Sequence, residues 1–189
     1  MERPGPAGNV QPPVPNRGRV QQTGRATPTT NFDAGDFSKM GLREDEGIFP
    51  LVESSATPAE VEGLLDEARN EELADAGIVD SKISAFSEGD AGMLLAFVGL
   101  FRNSSGASDG LEVLERGTRS LMDEVPGMEA ARRLGQESFQ LAGAWDGDPA
   151  VAYGWRSRNS LALLIYTHSE GQGFDEAEDA AELMERRMR

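Results

Sequence analysis

The chain contains no cysteine and only one histidine, His168, among its 189 residues. Disulfide bonds, thiolate metal sites and a cysteine nucleophile are therefore excluded. A metal or acid–base site would have to combine His168 with carboxylates such as Glu170, and a serine triad would have to recruit the same imidazole. No phosphate-binding loop leads into a helix. These absences predict a protein that is not an enzyme and that holds no metal or cofactor.

Long hydrophobic runs are also missing, because the longest, Gly92–Phe101, is about half the length of a membrane-spanning helix. The first ten residues, MERPGPAGNV, lack the charged-then-apolar pattern of a secretion signal. Two interpretations remain open at this point. Either the protein is cytoplasmic, or a targeting or anchor segment upstream of Met1 precedes the sequence.

Acidic residues outnumber basic ones, 33 to 18, which gives a formal net charge of −15 at pH 7. Residues 1–32 carry four arginines and one glutamate, a net charge of +3 (4 − 1), which leaves −18 (−15 − 3) on the remainder. A field of that sign repels phosphate backbones and anionic lipid headgroups, so we predict no nucleic-acid partner and no direct membrane insertion. The acid excess, with only two lysines, is also typical of proteins from salt-loving organisms.

Residues 1–31 form a segment of their own, with six of the ten prolines and abundant Gly, Gln, Asn and Thr. Three valines are its only branched apolar side chains, which is too little burial to offset the entropy of ordering. We predict a disordered tether over 1–31, here called the arm, and a single acidic domain over 32–189. Residues 31–52 are expected to pack on that domain as an extended segment.

The first predicted helix covers residues 58–75. Thr57 is placed to cap it, Pro58 suits its first position, Glu60 completes a capping box, and Gly77 ends it.

Two strands and a second helix follow. A short strand begins at Ile78, and the unbroken apolar run Gly92–Phe101 has the length of a strand at the centre of a sheet. Asn103 and the serines after it predict a turn and cap, and apolar spacing then predicts a helix over 107–124.

From Glu137 the apolar period becomes two, which predicts three antiparallel strands joined by tight turns at Asp146–Asp148 and Arg158–Asn159. A last helix is expected over 174–188. The predicted fold is therefore α+β, a mainly antiparallel sheet of about five strands with three helices packed on one face of it, in the order α-β-β-α-β-β-β-α.

Aromatic side chains are concentrated in the three predicted C-terminal strands. Trp and Tyr offer a large apolar surface with a polar atom at the rim, so a ligand groove between these strands and the helices is one interpretation, and core packing is the other. The candidate binding residues are Trp145, Tyr153, Trp155, Arg156, Tyr166 and His168.

The C-terminal half also resembles small exported domains of actinobacteria and related bacteria, which are often lipoproteins or extracytoplasmic sensor modules. The matching residues are the turn Val125-Pro126-Gly127, the aromatic–arginine pair Trp155-Arg156, and Asn159 before an apolar strand. The chain departs from that pattern at Arg158, where glycine is usual, and at Glu129-Ala130, where Gly-Asp is common.

The resemblance implies a non-catalytic, lipoprotein-like binding or sensor domain at the cell envelope, of unknown ligand, with the arm as a spacer from an anchored start. The alternative is a cytoplasmic, acidic interaction module that binds a basic protein, with a halophilic protein as one form of it. An enzyme using His168 has the least support.

Overall fold

The structure is a computed structural model, and it describes residues 31–37, 39–42, 52–53, 65–87, 92–124, 134–171 and 174–189. The predicted arm, the Thr57–Glu60 start signal and the Val125–Gly127 turn lie outside the described residues, Asn31 excepted. The division of the chain at residue 31 therefore stays a prediction.

One antiparallel sheet runs through the described part of the chain, in the spatial order β1-β2-β3-β7-β6-β5-β4. Five strands of nine or ten residues form its body, which confirms the predicted α+β class and the five-stranded sheet. A two-residue strand is added at each edge. The strands are β1 Val52–Glu53, β2 Ile78–Ser87, β3 Gly92–Phe101, β4 Asp123–Glu124, β5 Glu137–Trp145, β6 Asp148–Ser157 and β7 Ser160–His168.

The register of the strands gives the sheet two distinct ends. Gly92 of β3 lies opposite His168 of β7, and Trp145 of β5 lies opposite Asp148 of β6, at what we call the far end. Ser157 and Ser160, joined by the β6–β7 turn, lie with Phe101 at the other end, which we call the clasp end.

Helices cover both faces of the sheet, so the prediction of helices on one face is wrong. The helices are α1 Ala34–Phe37, α2 Glu67–Asp75, α3 Ser104–Leu121 and α4 Phe174–Arg187. On one face α3, with Leu73 of α2, packs on alternate residues of β3, β6 and β7, and on the other face α4 packs on the intervening ones. The reason lies in β7, all of whose residues are buried, because a strand that is apolar on both faces needs cover on both.

Helix α3 begins and ends three residues earlier than its predicted range of 107–124. The Asn103 side chain caps it by accepting a hydrogen bond from the Gly106 N–H (2.9 Å), as its position predicted. At the other end, Asp123 and Glu124 leave the helix and pair with Ala144 and Gly143 as strand β4. Pairing at the sheet edge thus replaces the last predicted turn of helix.

Helix α2 begins at Glu67, where Asp66 adopts an extended conformation and its side chain accepts from the Arg69 N–H (2.8 Å). Residues 58–64 of the predicted range lie outside the described residues. Gly77 follows the helix with a positive φ of 87°, as a C-terminal glycine should. No helix in the described ranges is long and apolar enough to cross a membrane.

Residues 32–42, here called the strap, were expected to be extended but contain the single helical turn α1. Asp33 supports this turn, since its side chain accepts from the N–H groups of Gly35 (2.8 Å) and Asp36 (3.0 Å). The strap buries Phe32, Phe37, Met40 and Leu42 in the apolar cluster under α4. It packs on the domain, as predicted.

Candidate functional site

The six predicted site residues are divided between the two faces of the sheet. Alternation along β6 and β7 brings Tyr153, Trp155 and Tyr166 together on the face beneath α4. Trp145 packs against the apolar cluster on the opposite face. Arg156 follows Trp155 on β6 and therefore points the other way.

The three aromatic side chains beneath α4 form a closed layer. Trp155 is 0%, Tyr166 1% and Tyr153 4% exposed. The Trp155 indole Nε1 is buried and finds no hydrogen-bond acceptor among the described residues. In this arrangement the layer is packed as core, and ligand binding by these residues stays a prediction.

His168 lies at the far end of β7, where it is 8% exposed. Its Nδ1 accepts a hydrogen bond from the Glu170 backbone N–H (3.1 Å), so Nδ1 is the unprotonated nitrogen of the ring. That lone pair is already engaged in closing the turn after β7, and within the described ranges no group of three metal-ligating side chains forms. His168 therefore stabilises the turn after β7 through this hydrogen bond.

The far end is tightly packed around His168. The Tyr166 ring meets the Phe174 ring edge-on at 6.1 Å between centroids and the His168 ring at 6.2 Å. A Cβ on Gly92 would lie 2.8 Å from the Thr167 carbonyl oxygen and 3.1 Å from the His168 ring, so only glycine fits there. We call Tyr166, His168, Phe174 and Gly92 the far-end corner.

Tyr153 occupies the edge of the aromatic layer beside the first turns of α4. Its burial raises the pKa of the hydroxyl, and the carboxylates of Glu178 and Asp175 raise the pKa further. The neutral phenol is therefore the stable form well into the alkaline range. A neutral phenol at ordinary pH does not act as a nucleophile or a base.

The raised pKa of Tyr153 predicts a loss of stability at high pH. Because the folded pKa lies above the ordinary value of 10.0, the contribution is complete below that pH and is lost as pH rises through the folded pKa. Thermal unfolding midpoints measured from neutral pH upward should fall beyond about pH 10, and Tyr153→Phe should reduce that fall. The background is small, because the chain has two tyrosines and two lysines. An identical alkaline fall in Tyr153→Phe would contradict the assignment.

Arg156 is engaged in contacts that organise the clasp end. Its guanidinium donates to Gln136 Oε1 (3.0 Å) and the Arg158 carbonyl oxygen (2.8 Å), and it pairs with Glu137 Oε1 (3.2 Å). Its side chain is only 12% exposed. Arg156 therefore joins β5, β6 and the turn after β6, and its part in ligand binding stays a prediction.

One stretch, Gly106-Ala107-Ser108-Asp109-Gly110, matches the Gly-x-Ser-x-Gly pattern of serine hydrolases, a match that our sequence reasoning missed. Ser108 lies inside α3 rather than on a strand-to-helix elbow. Its hydroxyl donates to Glu137 Oε2 (2.5 Å) at the clasp end, on the face opposite α4. His168 lies at the far end, so the two side chains cannot form a nucleophile–base pair.

Asn159, predicted from the sequence as a turn residue and as part of a motif, holds three segments together at the clasp end. Its Oδ1 accepts from the Phe32 N–H (2.7 Å), while its Nδ2 donates to the carbonyl oxygens of Phe32 (3.2 Å) and Phe101 (2.8 Å). The side chain is 3% exposed. A long-range bond of this kind, 127 residues apart in the chain, carries no local sequence signal.

The C-terminus is tied to the same β6–β7 turn. Ser157 donates to the Met188 carbonyl oxygen, and the Arg158 guanidinium donates to the Arg189 carbonyl oxygen. The Arg158 guanidinium also lies over the Phe32 ring, 4.4 Å from its centroid. Phe32 and Arg189 therefore lie at the same end of the sheet.

A shallow hollow of about 710 Å³ runs along α2, lined by residues between Leu65 and Ala74. The described residues that line it come from this helix and the two residues before it. These residues form a single wall, which does not enclose a small molecule.

Comparison with known proteins gives a likeness of fold alone. No protein-family model matches the chain, and no curated protein matches it. Among solved structures, the chain is similar to the extracellular domain of PknH from Mycobacterium tuberculosis, with a TM-score of 0.57 and 11% sequence identity. The match covers 84% of this chain and 97% of that one. The fold is thus shared with an extracellular domain of an actinobacterial protein.

Proposed function

We propose that the chain is a non-catalytic, extracytoplasmic binding or sensor domain, held off the cell envelope by the arm, residues 1–31. The observation that carries this proposal is the placement at the clasp end of Phe32, the residue at which the predicted arm joins the domain. A domain attached at one end presents the other to its surroundings. The fold shared with the PknH extracellular domain supports the same role.

The far end is the proposed ligand-facing surface, because it lies opposite the arm. The far-end corner brings Tyr166, His168 and Phe174 together there, between the β7–α4 connection and the start of β3. Loops at one end of a rigid sheet are where binding residues are commonly found. Of the predicted site residues, Tyr166 and His168 form this corner and Tyr153 lies beside it. Trp145 reaches the same end from the opposite face.

The two side chains that a hydrolase would need are engaged in other contacts. His168 Nδ1 accepts a hydrogen bond from the Glu170 N–H, and the Ser108 hydroxyl donates to Glu137 at the other end of the sheet. Binding without turnover needs neither group.

Native protein isolated from fractionated source cells tests the proposal. We expect it in the envelope fraction. Intact-mass measurement should show an N-terminus that carries a lipid or a membrane segment, or one left by cleavage of a signal. Recovery in the cytosolic fraction with an unmodified start at Met1 would exclude the proposal and favour the alternative.

That alternative, a cytoplasmic acidic interaction module, draws support from the flank of α4. Its first turn is acidic, with Asp175 and Glu176 exposed and Asp179 exposed one turn later. These side chains, on a domain of net negative charge, would attract a basic protein partner.

The dependence of stability on salt concentration distinguishes a halophilic protein from a non-halophilic one. Screening by salt weakens the repulsion within an acidic domain. For either function, the thermal unfolding midpoint should therefore be higher in about 0.5 M salt than in about 0.05 M salt. A halophilic protein should continue to gain stability up to molar salt. Equal midpoints at about 0.5 M and at molar salt would reject the halophilic interpretation.

A further inference from the structure

The strap, residues 32–42, is the part of the described chain through which the arm joins the domain. Its apolar side chains pack with Met184 and Met188 in the cluster under α4. Its backbone is held at two points, Phe32 at the Asn159 amide and Gly41 at the Arg187 guanidinium (2.6 Å). Any pull or ordering of the arm reaches these contacts first.

The sheet body does not depend on the strap for its hydrogen bonds. The ladders from β2 through β3, β7 and β6 to β5 are formed among these strands alone. Helix α4 likewise packs directly on β6 and β7. The strap can therefore leave its position while the sheet and α4 stay folded, as a local unit of low stability.

Opposing terms of similar size hold the strap in place. Burial of four large apolar side chains favours the closed position. Ordering the backbone of this short segment opposes it by a comparable amount. The equilibrium between closed and open strap is then set by the few polar contacts at its two attachment points.

The Arg158 side chain makes one of these contacts, at Phe32. The backbone conformation of Arg158 indicates that this side chain has a structural role. The φ of Arg158 is 56°, a conformation that favours glycine. In this chain the arginine side chain stacks on Phe32 and bonds the Arg189 carbonyl oxygen. These two contacts stabilise the strap and the last residue of the chain, and they offset the free-energy cost of the positive φ.

We propose that the strap is a latch, which opens as a unit from the folded domain and transmits a pull on the arm, or its ordering by a partner, to the sheet face under α4. Opening frees the Asn159 amide and Arg187, and it uncovers apolar side chains of β3 such as Leu100, which share the strap's cluster. Transmission from an anchor rests on the proposed function, whereas the opening itself does not.

Native-state hydrogen exchange of the full chain, followed by mass spectrometry, tests the latch. In the unmodified protein, amides of the strap should exchange at least about 100-fold faster than those of β7, residues 160–168. Arg158→Gly keeps the turn and removes the stacking, and Arg187→Gln removes the bond to Gly41. Each should speed strap exchange by roughly threefold to tenfold and leave β7 unchanged. Arg186→Gln, at the neighbouring exposed residue, is the matched control and should change neither.

Two results would overturn the latch. One is strap exchange at the rate of β7 in the unmodified protein, which would mean that the strap opens only when the whole domain unfolds. The other is an equal acceleration of strap and β7 in Arg158→Gly and Arg187→Gln. Recovery of the protein from the cytosol would reject the proposed function and leave these rates as predicted.

Discussion

Replacing Asn159 with alanine is expected to lower the free energy of unfolding by about 3 kcal/mol. The change leaves the Phe32 N–H and the carbonyl oxygens of Phe32 and Phe101 without their amide partner in a buried site. Each buried group left unsatisfied costs more than an exposed hydrogen bond contributes. Chemical denaturation followed by tryptophan fluorescence measures the loss.

Asn103→Ala is the matched control for this substitution, because it removes the same side chain from an exposed helix cap. Its expected cost is about 1 kcal/mol, the usual worth of a cap. If Asn159→Ala costs no more than Asn103→Ala, the β6–β7 turn is not the point that joins the strap to the sheet.

Gly154→Ala should cost about 3 kcal/mol, the second large effect expected in this chain. Gly154 of β6 lies directly opposite Phe139 of β5, and a Cβ there would be 2.2 Å from the Phe139 ring. The ring is buried under α3, so it cannot swing away without losing its packing. Denaturant midpoints of the two proteins give the comparison.

A smaller partner should relieve that overlap. Phe139→Leu alone should destabilise by about 1 kcal/mol, and the double variant Gly154→Ala with Phe139→Leu should cost less than the sum of the singles by roughly 1 kcal/mol. Strict additivity of the two changes would show that the glycine is required for another reason.

The elements with strong local patterns could be predicted from the sequence. Two-residue periodicity places β5, β6 and β7, and the turn at Asp146–Gly147 has positive φ values of 53° and 91°, as a two-residue hairpin requires. The apolar run of β3 indicates a central strand, and its burial on both faces also implied helices on both faces. That implication was missed when the helices were assigned to one face.

Features set by distant contacts could not be predicted. Gly110 disfavours a helix by its local propensity, yet a Cβ there would lie 2.5 Å from the Phe101 ring, so α3 needs the glycine to approach β3. The role of Asn159 depends on Phe32, which is far away in the chain. The candidate site fared similarly, since strand alternation groups Tyr153, Trp155 and Tyr166, but only the packed structure shows that α4 closes over them.

The location of the domain is tested most directly by labelling a single introduced cysteine, since the chain has none of its own. Ser169→Cys places a thiol on the exposed turn at the far end, and Ser160→Cys places one in the fully buried start of β7 as a matched control. In protoplasts with an intact membrane, a membrane-impermeant maleimide should label Ser169→Cys at once and Ser160→Cys only after denaturation. Labelling of Ser169→Cys that appears only after lysis would contradict an extracytoplasmic domain.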